Sequence, residues 1–257
     1  YRGAFEIRAA GAEGAPLTFA AEGDADGIDR PLLVAPRTTP GVDLDTLRVL
    51  GSYVTLDRLR VSNENDPGQA IWIAGSHVTV TRAEVFGARG QGILISGDAN
   101  LVEACDVHRN GAHAAGDHGI YVEGAHNTIR DSAIHDNWAF GIQLYAERGD
   151  HPGTLVERND IFHNGFGALA VDPTQPTAGI VVAARHPDAI VRDNRVCDNA
   201  QYGLYAIDGQ RGTQLLDNLA CCNRRGDVYL RVPGADNVQR GTRDCGARDA
   251  CAVLCRR

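Results

Sequence analysis

Apolar residues return along this chain in short alternating runs rather than at helical spacing. Asn100-Leu101-Val102-Glu103-Ala104-Cys105-Asp106-Val107-His108-Arg109-Asn110 leads, after a loop, to His118-Gly119-Ile120-Tyr121-Val122. The phrase then recurs as Asn127-Thr128-Ile129-Arg130-Asp131-Ser132-Ala133-Ile134-His135-Asp136-Asn137, followed by Gly141-Ile142-Gln143-Leu144-Tyr145. Alternation over so few residues marks a half-buried strand and lacks the length and 3.6 period of a helix. A chain that repeats itself at this length stacks like units.

With Asn110 and Asn137 as the register, the same position returns at Asn164, Asn199 and Asn223, and less perfectly at Ala88 and Glu64. Three residues earlier runs an aliphatic row of Val61, Val85, Val107, Ile134, Ile161, Val196 and Ala220. Five residues earlier runs a small or amide row of Leu59, Ala83, Cys105, Ser132, Asn159, Asn194 and Asn218. Each unit adds a Gly-apolar strand, at Gly92-Ile93-Leu94-Ile95, Gly119-Ile120-Tyr121-Val122, Gly141-Ile142-Gln143-Leu144 and Gly203-Leu204-Tyr205-Ala206. The units read as strand, corner, strand, corner, and spacings of 22 to 35 residues fit one coil each of a β-solenoid. Equivalent residues of a parallel stack lie roughly 4.8 Å apart, so apolar side chains pile inward and corner amides bond along the stack.

This pattern, N-x-x-I-x-x-N followed by x-G-I-x-V, resembles the right-handed parallel β-helix of the pectate-lyase-like superfamily from about residue 50 to 232. The opening Tyr1-Arg2-Gly3-Ala4-Phe5-Glu6-Ile7 with Gly11-Ala12-Glu13-Gly14-Ala15-Pro16-Leu17-Thr18-Phe19 is similar to the first coils of secreted β-helix lyases. The expected fold is therefore all-β, a right-handed parallel β-helix over 1–232, with 233–257 as a cysteine-rich, disulfide-stapled cap of the same domain. The superfamily hosts lyases, epimerases, hydrolases, esterases and adhesins, so activity has to be argued from a site.

Composition narrows the partners. The net charge is −8 and there is no lysine, which disfavours nucleic acid and leaves a polyanionic sugar dependent on local arginines. No apolar run approaches the length of a membrane span, and a monomer is expected. The first residue is Tyr1 inside a strand, so the chain reads as processed or trimmed, with its N-terminal cap and export signal outside the sequence. Seven cysteines point to an oxidising compartment, secreted, extracellular or periplasmic. Cys197 and Cys221 fall at equivalent positions of adjacent coils, about 5 Å apart and within disulfide range. Cys222, Cys245, Cys251 and Cys255 would staple the tail, and Cys105 is left as a buried thiol; a zinc site at Cys251-x3-Cys255 is the rival reading.

Charges alternate at one corner through Glu103, Arg130, Glu157 and Arg192. Three inserts, Gly111 to Asp117, Ala146 to Gly153 and Asp172 to Pro187, should rise from neighbouring coils and wall a groove. Outward positions facing it pair Leu94 with Ser96, Tyr121 with Glu123, Gln143 with Tyr145, Tyr205 with Ile207 and Tyr229 with Arg231. His108 and His135 read as structural. His118 breaks their row beside Asp117, below the loop bearing His113.

Two chemistries fit these residues, and a third reading needs none. The first is β-elimination or C5 epimerisation of a uronic-acid polysaccharide, with His118 as base and Tyr121 or Tyr145 as acid. Gln143 with Arg89 or Arg148 would hold the substrate carboxylate, among Glu123, Asp117 and His113. The second is glycoside hydrolysis by Glu123 with Asp117, Glu147, Asp150 or Asp172, two carboxylates about 5 to 9.5 Å apart. The third is a non-catalytic adhesin or polysaccharide-binding solenoid. Calcium-dependent lyases of the superfamily use a lysine base that this chain does not have. Epimerase-like members place Asp and His near a Tyr, as Asp117-His118 and Tyr121 loosely do, and polygalacturonase-like members carry an Asp pair and a Gly-His-Gly where this chain has Asp117-His118-Gly119. No cofactor is called for. Ca²⁺ stays open through the resemblance alone, since the Asp24-Ala25-Asp26-Gly27-Ile28-Asp29 segment looks like a calcium loop without its remaining ligands.

Overall fold

The computed structural model describes residues 1–22, 30–37, 44–112, 116–207, 211–230 and 236–245. Strands of three to five residues, closing in a two-residue one, assemble into three parallel sheets of nine strands each, every third strand of the chain joining the same sheet. The result is a β-solenoid with three faces. The first sheet carries the Gly-apolar strands, among them Ile93–Ile95, Ile120–Val122 and Ile142–Leu144. The second carries strands such as Leu101–Glu103 and Thr128–Arg130, and the third such as Asp106–His108 and Ala133–His135.

The run from Asn100 to Asn110, expected as one strand, thus holds two strands on different sheets. The corner between them is two residues, the first of them in the left-handed region, at φ 51 to 56° through Arg58, Arg82, Ala104, Asp131, Arg158, Asp193 and Asp217. Non-glycine residues there cost roughly 1–2 kcal/mol each, and a turn this tight leaves no polar cluster to mark it in the sequence.

The stacked amides hold these corners. Asn110 N–H donates to Asn137 Oδ1 at 3.1 Å, Asn137 to Asn164 at 3.1 Å, Asn164 to Asn199 at 3.1 Å and Asn199 to Asn223 at 3.0 Å. A second row, the second residue of each two-residue corner, links Cys105, Ser132, Asn159, Asn194 and Asn218 in the same way. Between the rows, Leu56, Ile71, Ile93, Ile95, Ile120, Ile129, Ile134, Ile142 and Ile161 are fully buried. Side-chain alternation on each three-residue strand sends one row in and the next out, so a one-residue slip would expose this core. The charge row forms as read, with Arg130 on Glu103 at 2.7 Å and Arg192 on Glu157 at 2.6 Å.

Three further expectations change. Gly179-Ile180-Val181-Val182 belongs to a first-sheet strand, Ala178–Val182, that runs through the expected third insert. With every residue of that strand buried, it lacks the alternation that revealed its neighbours. Ahead of it sits a short helix, Phe166–Val171. Beyond residue 232, Val238–Arg240 and Arg243–Asp244 pair onto the second and third sheets, so the stack runs past the expected boundary. Finally, Cys221 is bonded to Cys245, with Cα atoms 5.1 Å apart, rather than to Cys197. The register sets Cys197 beside Cys221 and Cys221 beside Cys245, so distance alone does not choose between them. Cys197 and Cys222 are also disulfide-bonded, and Cys105 is a free, buried thiol whose pKa burial pushes up to about 12. Cys251 and Cys255 lie outside the described residues.

Asn137 Oδ1 serves the Asn110 backbone while its Nδ2 donates to Val107 O at 3.0 Å, and Asn137 is 1% exposed. Asn137→Ala strands these buried groups and should cost about 2–4 kcal/mol in urea unfolding, whereas Thr128→Ala, on a half-exposed strand position, should stay within about 0.5 kcal/mol.

Candidate functional site on the first sheet

The outer face of the first sheet is a wall built by register. Its first row runs Arg48, Trp72, Leu94, Tyr121, Gln143, Val181, Tyr205 and Tyr229 on successive coils. Two residues on, backbone hydrogen bonds align Ser96, Glu123, Tyr145, Ala183 and Ile207. The outward pairs read from the sequence therefore come together, and Tyr121 and Tyr145 stack with ring centroids 6.5 Å apart. Arg231 lies outside the described residues.

A polar chain feeds Glu123. Trp72 Nε1 donates to Ser96 Oγ at 3.1 Å, and Ser96 Oγ donates to Glu123 Oε2 at 2.8 Å. Glu123 keeps its other oxygen on the half-buried wall. Burial raises the Tyr121 phenol above its ordinary pKa, and the charge of Glu123, the Tyr145 phenol and Glu147 add to the rise. Tyr121 is therefore held in its protonated, donating form. Trp72 was not singled out in the sequence; its place in an outward row ahead of Leu94 was the available signal.

His118 is the main correction. It is 2% exposed, turned into the corner between the third and first sheets instead of onto the wall. Its row is Gln69, Gln91, His118 and Phe140, in which Gln69 Oε1 accepts from Gln91 N–H and Gln91 Oε1 from His118 N–H. Gly119, between His118 and Ile120, packs directly on the asparagine row, where a Cβ would fall 2.6 Å from Asn137 Nδ2. Phe140 packs on the imidazole at 4.8 Å and Tyr121 meets it edge-on at 5.8 Å. Its Nδ1 accepts from Phe140 N–H at 3.3 Å, and Gln143 hydrogen-bonds the ring. Burial lowers its pKa to about 3. A neutral, enclosed imidazole has no route to a substrate proton, so His118 braces Gln143 from beneath.

The remaining candidates separate. Asp117 Oδ2 accepts from Ala112 N–H at 3.2 Å within its own loop, and Asp117 O accepts from Ala139 N–H. Arg89 pairs with Asp66 at 3.0 Å. Glu147, Arg148 and Asp150 are exposed on the insert beside Tyr145, where Arg211 meets Asp150, and Asp172 accepts from Thr174 and Gln175 in its own turn. His113 lies outside the described residues, as does the 24–29 segment. Among the described residues no group of His, Cys, Asp and Glu is arranged to hold a metal ion, so no step is routed through calcium. Among them, too, no helix is long and apolar enough to cross a membrane.

The comparisons with known proteins agree with the fold. The family described as right handed beta helix region matches residues 48–229, and the chain belongs to that family of right-handed β-helix proteins. Pectate lyase L of Paenibacillus polymyxa (strain SC2) is 37% identical over 127 residues, covering 49% of this chain and 26% of that protein, about a quarter of its length. In fold, the chain is similar to pectate lyase Pel9A, with TM-score 0.70 and 18% identity over 94% of this chain and 60% of that one. It is likewise similar to an alginate lyase from Paenibacillus sp. str. FPU-7, with TM-score 0.69 and 18% identity over 96% of this chain and 85% of that one. The periplasmic alginate epimerase AlgG superposes with TM-score 0.60 and 13% identity over 84% of this chain and 51% of that one.

Burial leaves an acid-labile signature. His186, fully buried, is lowered to about 4 by desolvation and by His151, and His118 to about 3. The unfolded chain protonates both near 6.5 while the native state does not, so their contribution is intact above pH 6.5 and lost as pH falls towards 3–4. Each should add a slope of up to about 1.4 kcal/mol per pH unit. His118→Gln should flatten the dependence of unfolding free energy on pH between 6.5 and 4 relative to the wild type; parallel curves would show that His118 titrates normally.

Proposed function

We propose that this protein acts on a uronic-acid-containing polysaccharide laid along the outer wall of the first sheet, removing the proton from C5 of a uronate residue. The reading is supported by relatives whose names are pectate lyase, alginate lyase and alginate epimerase. The observation that carries it is the Tyr121–Tyr145 stack with Glu123 beside it, three proton-handling groups brought together from distant points of the chain.

Glu123, oriented by Ser96, takes the C5 proton. The C5–H electron pair forms the C4–C5 double bond, the C4–O4 bond breaks, and the Tyr121 hydroxyl donates its proton to the departing O4. In epimerisation the same carbanion is reprotonated from the opposite face, the part given to Tyr145. Gln143, braced by His118, and Arg148 hold the substrate carboxylate, so that charge developing at C5 is delocalised onto it. Action outside the cytoplasm, in the periplasm or beyond, is part of the proposal, in keeping with a polymeric substrate and disulfide-bonded cysteines.

Hydrolysis remains the second reading because the charges of Glu123 and Glu147 both raise the Tyr121 phenol, which makes these two the carboxylate pair to test. Incubation with polygalacturonate, alginate and glycosaminoglycans separates the outcomes. Elimination gives the ultraviolet absorbance of 4,5-unsaturated ends, epimerisation a changed uronate composition, and hydrolysis new reducing ends alone. Tyr121→Phe should slow turnover on the order of 10²-fold or more with the melting temperature retained. Binding without any product from the whole panel would overturn the enzymatic reading in favour of a polysaccharide-binding solenoid.

A further inference from the structure

At the corner joining the third sheet to the first, Arg109, Asp136 and His163 occupy one left-handed position on three consecutive coils, with φ 54, 55 and 59°. They line a cavity of about 320 Å³ with Trp138 and Phe166 as walls and Asn110, Gly111, Asn137 and Gly167 completing the lining. We propose that this corner cavity is a second binding site, for a carboxylate-bearing sugar residue of a polysaccharide chain.

Charge is the first argument. Arginines on the adjacent corner are all paired, Arg82 with Asp57, Arg130 with Glu103, Arg158 with Asp131 and Arg192 with Glu157. Arg109 is exposed and has no ion pair among the described residues, in a chain of net charge −8. The neighbouring carboxylate does not compete for it. Asp136 accepts from His163 Nδ1 at 2.6 Å and from His135 Nδ1 at 2.7 Å, and His135 Nε2 reaches Asp106 at 2.9 Å. Burial favours the neutral Asp136 acid, but its bonds to the two imidazoles outweigh that and lower its pKa. Asp136 is thus a committed anion.

The same bond fixes His163. With Nδ1–H donated to Asp136, Nε2 has no protein partner among the described residues. Neutral, it accepts from a sugar hydroxyl; protonated, it donates to a carboxylate. A guanidinium fork on the same cavity wall, two coils from His163, suits a planar, singly charged carboxylate. A doubly charged phosphate would meet more repulsion from Asp136.

The walls indicate a sugar. Trp138 is seated between two glycines: a Cβ on Gly167 would fall 2.2 Å from Trp138 Cε3, and one on Gly111 2.5 Å from Trp138 Cβ. Both positions are therefore kept empty for the indole. Phe166 packs on His163 at 4.6 Å, and the Arg224 guanidinium lies 4.2 Å over the Phe166 ring. Aromatic walls and a few charged groups in a volume at the lower end of the range for ligand pockets fit about one pyranose ring.

The site does not rest on the first-sheet reading, and the test keeps the two apart. The chain has two tryptophans, so Trp72→Phe leaves Trp138 as the sole indole reporter. Titration of this protein with a galacturonate or mannuronate trisaccharide should change Trp138 emission saturably. Arg109→Gln should weaken binding about 10-fold or more at unchanged melting temperature, Arg109→Lys less so, and the carboxyl-reduced trisaccharide should bind about 10-fold more weakly than its parent. Tyr121→Phe should leave the titration as it is, whatever it does to turnover. Trp138 emission indifferent to both uronates, Arg109→Gln binding like its parent, or equal affinity for the reduced sugar would each overturn the proposal.

Discussion

The structure depends on one interaction repeated along a line: an asparagine side chain bonded to the backbone of the coil before it. Strands of three residues form too few ladder bonds to hold a corner alone, and corners in the left-handed region oppose folding. The stacked amides close this gap, because each Oδ1 meets a backbone N–H and each Nδ2 a carbonyl that the turn would otherwise leave unpaired. Buried isoleucine, valine and leucine rows then supply the apolar area, and the amide rows fix which residue of each coil faces which.

From that register come both surfaces that bear on function. On the first sheet, alternate residues of short strands become continuous outward rows, which is how Tyr121, Gln143, Glu123 and Tyr145 form one wall. At the corner beside the third sheet, the left-handed position stacks Arg109, Asp136 and His163. The wall is half-buried and aromatic where the corner is charged. An acidic protein thereby keeps a few local cations in reach of an anionic ligand.

Much of the fold was legible because the asparagine and aliphatic rows recur at the same offsets. The third sheet was not, since only Ala104 and Cys105 separate Leu101–Glu103 from Asp106–His108, and a turn with a single left-handed residue has no sequence marker. The strand Ala178–Val182 was hidden because both of its faces are covered. At the site, Tyr121, Glu123, Gln143 and Tyr145 followed from counting alternate residues. His118 shares the parity of the inward Ile120, so alternation itself points it inside; a glutamine-to-histidine row nonetheless resembles a loop end until its hydrogen bonds are seen. Trp138 carried a signal that period alone does not reveal: a tryptophan directly after a corner asparagine, where neighbouring coils have Gly111, Gly165 and Ala200.

Amide hydrogen exchange, resolved residue by residue, bears most directly on the claim that stacked asparagines hold the solenoid and its outer wall in register. The backbone N–H groups of Asn110, Asn137, Asn164 and Asn199 should exchange only through global unfolding, with opening free energies equal to the stability measured in denaturant. Exchange of these protons through local opening, well below that free energy and while the Ile120 and Ile142 amides remain protected, would contradict it.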